Sequence, residues 1–159
     1  MMKQQTGRSA REMDRGRAAI LAFVQSGEIR PEDIAHLRRD VLAAGPISPD
    51  EAEALFALET SAARKCAEWT EFFVEALTDY VIWGLRPTGV VNESQGEWLI
   101  ARADAAASLN ALALLVNVLA EAHRVPLWFV AAVRARGAAG WSGVEIALQM
   151  TAAETAVAA

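Results

Sequence analysis

Three features of the sequence predict an all-α fold: no run alternates with a period of two, alanine supplies 34 of the 159 residues, and helix-start signals recur along the chain. Alanine has the highest helix propensity, and its small side chain lets neighbouring helices approach closely. The expected architecture is a single compact bundle of about seven to eight short helices with EF-hand-like helix-opening turns. With 53% hydrophobic and 22% charged residues, a chain of this length buries roughly 70% of its unfolded surface, so neither a disulfide nor a structural metal is required.

The elements follow from start and stop signals. A small polar residue precedes Glu or Gln by three positions at Ser9/Glu12, Ser48/Glu51, Asn92/Gln95 and Ser142/Glu145. In such a capping box the first side chain accepts from the N3 amide and the second reaches back to the N-cap amide. Pro31 and Pro49 suit a first helical turn, where the missing N–H costs nothing. Gly27, Gly45, Gly84, Gly137 and Arg86-Pro87 are read as stops. The resulting helices span 9–25, 31–44, 48–64, 67–83, 92–103, 108–123, 127–136 and 142–156. In the fourth, Trp69, Phe72, Phe73, Ala76, Leu77, Tyr80 and Val81 recur at three and four, a broad apolar face that marks this helix as the most buried. The uncharged stretch 105–120 falls short of the roughly 20 residues of a membrane span. It also contains Ser108, Asn110 and Asn117, so it reads as a buried helix and no membrane span is expected.

Charge is uneven. Residues 1–17 hold five basic groups against Glu12 and Asp14, a net +3, and the remainder carries −8. Residues 1–16 are read as a basic N-terminal arm and 17–159 as a single all-helical domain. The arm is not read as a signal peptide, because the apolar run 18–24 continues as helix without a cleavage site. An acidic body argues against nucleic-acid binding, which calls for clustered Lys and Arg. One cysteine permits no internal disulfide and no CxxC, which fits a reducing cytoplasm.

Three helix-opening turns share a template of Gly, any residue, Ile or Val, then an acidic or amide residue at Gly+6 and Leu at Gly+10. They are Gly27-Ile29-Asp33-Leu37, Gly45-Ile47-Glu51-Leu55 and Gly89-Val91-Gln95-Leu99. A fourth, decayed copy is read with Asp104 in the Gly slot, Asn110 in the acidic slot and Leu114 in place. The template matches the second half of an EF-hand loop, whose first half must supply oxygen ligands at positions 1, 3 and 5. Around Gly45 those positions are Asp40, Leu42 and Ala44; around Gly27, Ala22, Val24 and Ser26; around Gly89, Gly84, Arg86 and Thr88. No turn presents the six or more oxygens that a hard cation takes, so the repeat reads as structural and no cofactor is expected.

The segments Ile47 to Leu58, Glu68 to Tyr80 and Val91 to Arg102 resemble an uncharacterised alphaproteobacterial family of helical proteins, itself similar to the tellurite-resistance-B-like class. The resemblance spans about residues 30–120. It implies an all-helical fold and, in the wider class, acidic residues at Asp-Gly turns able to hold a divalent cation. Here Ser26, Ala44 and Thr88 precede the three glycines.

The remaining constellations are incomplete. Glu68, Glu71, Glu75 and Asp79 form a carboxylate stripe at helical spacing, read as the solvated side of an amphipathic helix or as a hold for a cation or a basic partner helix. Asp33 and His36 have the spacing of one ligand pair but lack the second pair that a di-metal bundle needs. Cys66 reads as a structural thiol, and no nucleophile elbow, HExxH or phosphate loop is present. Trp128, Phe129 and Trp141 either complete the core or form a docking patch. The function expected is a non-enzymatic cytoplasmic interaction or regulatory domain, working through a protein partner or self-association. Its interaction residues are Glu68, Glu71, Glu75, Asp79, Trp128 and Trp141. The alternative is a divalent-cation-responsive stress domain using Asp40, Asp50, Glu51 and Glu53.

Overall fold

A computed structural model describes residues 18, 20–22, 26–43 and 45–139. The fold is all-α. Residues 18, 20–22 and 26 are helical, and six α-helices follow: α1 Pro31–Leu37, α2 Pro49–Ser61, α3 Ala67–Thr78, α4 Glu93–Ala106, α5 Leu109–Glu121 and α6 Leu127–Ala138. Two of them end in wider π turns, Arg38–Leu42 after α1 and Asp79–Trp83 after α3. The helices expected at 31–44, 48–64, 67–83, 92–103, 108–123 and 127–136 are thus found, while 9–17 and 142–156 lie outside the described residues.

Two departures from the expected layout have local causes. A two-stranded parallel sheet pairs β1 (Glu28–Ile29) with β2 (Arg64–Lys65), and Val90 bridges to Arg124 in the same sense. Strands this short leave no alternating pattern to read. Gly137 is no stop; it lies buried in the last turn of α6, which ends at Ala138.

Contacts divide the chain into two compact units, one up to Ala76 and one from Leu77. Each repeats the same path. In the first, Gly27 (φ 70°) leads through β1 into α1, Gly45 (φ 104°) turns the chain into α2, and β2 returns alongside β1 before α3. In the second, Gly89 (φ 80°) leads through Val90 into α4, Ala107 (φ 46°) turns into α5, and Arg124 returns alongside Val90 before α6. The hydrogen bonds match: the N–H groups of Ala63 and Arg64 donate to Gly27 O at 3.0 and 3.3 Å, and those of His123 and Arg124 to Gly89 O at 2.8 and 3.4 Å. Gly27, Ile29 and Leu37 therefore correspond to Gly89, Val91 and Leu99. After the turn Ser48, Leu55 and Trp69 correspond to Ser108, Leu115 and Phe129, because Pro46 and Ile47 have no counterpart.

In the first unit the core gathers Leu37, Leu55, Leu58, Phe72 and Phe73 around Trp69, all without solvent exposure. Phe73 meets Phe56 edge-on at 5.4 Å and Trp69 at 5.6 Å. Trp69 donates its indole N–H to Glu59 Oε2 at 2.5 Å, and Lys65 Nζ reaches Glu59 Oε1 at 3.2 Å and Glu59 O at 2.7 Å. A buried carboxylate is tolerable when it is paired and hydrogen-bonded in this way. In the second unit the corresponding positions are Leu119, Val125 and Phe129, so an apolar set occupies the place of the ionic one. There the core comprises Leu99, Leu112, Leu115, Val118 and Phe129. Asn117 Nδ2 satisfies buried Thr78 Oγ1 at 2.9 Å, and Tyr80 packs edge-on against Trp98 at 5.6 Å. All seven residues of the apolar face read from 69 to 81 are buried.

Candidate functional site

The repeated template turns out to be a helix-entry device. Each of its glycines has a positive φ, a conformation that costs an L residue roughly 1–2 kcal/mol. The branched residues Ile29, Ile47 and Val91 are buried, as are Leu37, Leu55 and Leu99. The Gly+6 side chains then cap: Asp33 Oδ2 accepts from the Arg30 N–H, Glu51 Oε1 from Ser48 and Gln95 Oε1 from Asn92, each at 2.9 Å. Ser48 and Asn92 answer by accepting from the N3 amides at 3.2 and 2.9 Å. A carboxylate in the EF-hand position 12 is thereby spent on its own helix, and Gln95 shows that no charge is needed there.

The fourth turn is differently placed from its reading in the sequence. The left-handed residue is Ala107, not Asp104, and Ser108 caps by accepting from Ala111 at 3.1 Å. Asp104 lies within α4 and grips Arg136 of α6 through both oxygens, at 2.5 and 2.6 Å. That guanidinium holds the Asp104 carboxyl below the usual aspartate range, and the carboxylate raises Arg136 in turn. The shorter turn, lacking a counterpart to Pro46-Ile47, moved the register.

Of the four acidic residues assigned to the cation alternative, Asp40 lies in the first π turn, with Arg39 Nε 3.5 Å from its Oδ1. Asp50 and Glu51 open α2, with Glu53 just behind them and Glu51 buried as a cap. Among the described residues no group of three or more His, Cys, Asp or Glu side chains is placed to hold a metal ion. The Asp33–His36 pair is divided in the same way, Asp33 capping α1 and exposed His36 hydrogen-bonding Arg39.

On α3, Glu68, Glu71 and Glu75 are exposed, and Asp79 is half-buried in the π turn that follows. Arg38 Nη1 meets Glu75 Oε2 at 2.7 Å while its guanidinium lies 5.7 Å from the centre of the Phe72 ring. This cation offsets the repulsion between Glu71 and Glu75, though an exposed pair of this kind is worth at most about 1 kcal/mol. Burial pushes the Cys66 thiol up, with a smaller contribution from the Glu68 carboxylate beside it. Raised rather than lowered, it is a poor nucleophile at neutral pH.

In the second unit Trp128 is half-buried, donates its indole N–H to Glu93 Oε2 at 2.5 Å and covers Gly96, where a Cβ would stand 3.0 Å from the ring. It is thus engaged within its own unit, and Phe129 beside it is core. Trp141 and the arm 1–16 lie outside the described residues. What the sequence did not single out is Leu127, 89% exposed at the first position of α6, together with Trp83 and Leu109, 43% and 46% exposed. A readable signal existed: an apolar residue directly after Pro126 stands at N1, ahead of the buried stripe. Trp83 stacks edge-on with exposed His123 at 5.9 Å. In the first unit a cleft of about 320 Å³ is lined by Ala22, Ser26, Glu28, Arg30 and Asp33.

No family model, no curated protein and no solved structure matches this chain. No helix among the described residues is long and apolar enough to cross a membrane.

Proposed function

We propose that the chain is a non-enzymatic cytoplasmic interaction or regulatory domain of the tellurite-resistance-B-like kind, acting through a protein partner or a second copy of itself. The observation that carries this reading is Leu127, a large apolar side chain 89% exposed at the first position of α6. Such a residue is suited to anchor an interface, because its burial on binding releases water without first breaking internal contacts. Separately, in the first unit, the exposed acidic side chains Glu68 and Glu71 on α3 would attract a basic surface. The cap role of Asp33, Glu51 and Gln95 supports the choice of protein over cation as ligand.

The test is affinity purification of the full chain from its native host beside Leu127→Asp and Glu71→Lys variants. Retention of a defined protein by the parent, and its loss from the Leu127→Asp sample, is the expected result. Equal recovery from all three, or nothing retained by the parent, overturns the reading.

A further inference from the structure

We draw no further inference here: the strongest candidate, the exposed patch of the second unit where Trp83 meets the His123 ring edge-on next to Arg124 in the chain, has exposed Glu121 two residues before that histidine, so its charge selects no partner, and nothing in the structure shows what covers it.

Discussion

Replacing Glu59 by Leu isolates the energetic role of the polar triad in the first unit. The substitution removes the acceptor of the buried Trp69 indole N–H and the charge partner of Lys65. An unsatisfied buried donor costs about 1–3 kcal/mol, and removing one member of a buried ion pair about 3–5 kcal/mol. The Lys65 side chain is 25% exposed and keeps the Glu59 carbonyl at 2.7 Å, which places the loss near the lower bound, about 3 kcal/mol. The second unit indicates how the loss can be recovered, since Leu119, Val125 and Phe129 fill the same three positions. The triple variant Glu59→Leu, Lys65→Val, Trp69→Phe is therefore expected within about 1 kcal/mol of the parent. Urea unfolding with linear extrapolation measures both values. A Glu59→Leu protein as stable as the parent, or a triple variant whose loss equals the sum of its single losses, would refute the reasoning.

Phe73→Ala is expected to cost about 3–5 kcal/mol in the same assay, because the ring is fully buried between Phe56 and Trp69. Ala107→Gly is expected to stabilise by about 0.5–1 kcal/mol, since it relieves a left-handed alanine at the turn where the first unit has Gly45. Asp104→Asn is expected to lower stability by about 1 kcal/mol or less at neutral pH, discounted because Asp104 is 45% exposed. The folded-state pKa of Asp104 lies below its unfolded value, so this contribution is present above the ordinary aspartate range and is lost as pH falls through the folded value. Unfolding curves of parent and variant are expected to converge in acid.

Most helix boundaries were legible because their signals are local. Ser48/Glu51 and Asn92/Gln95 each complete a capping box, and the three-four spacing from Trp69 to Val81 marks a helix buried over a broad face. The nature of the repeated turn was half legible: its residues were found by spacing, but only the hydrogen bonds show that Asp33, Glu51 and Gln95 do the same work. The correspondence of the two units escaped because Pro46 and Ile47 shift the register, which put Asp104 where Ala107 belongs. Pairs that join separate elements, such as Arg38 with Glu75, Asp104 with Arg136 and Trp69 with Glu59, leave no periodic trace. Trp128 reads as an anchor from composition; it is half-buried against Glu93 and Gly96, and the large apolar side chain left exposed beside it is Leu127, which no spacing marks out.

The central claim is that the acidic residues of the helix-opening turns are engaged as helix caps, which is what favours the proposed protein contact over cation binding. Melting of the full chain in calcium, magnesium and zinc at millimolar concentration tests it most directly, because any ligand that binds only the folded state must raise the melting temperature. No change is expected with any of the three. A saturable rise that disappears in Glu51→Gln would contradict it, since an amide still caps, as Gln95 does, but binds a hard cation poorly.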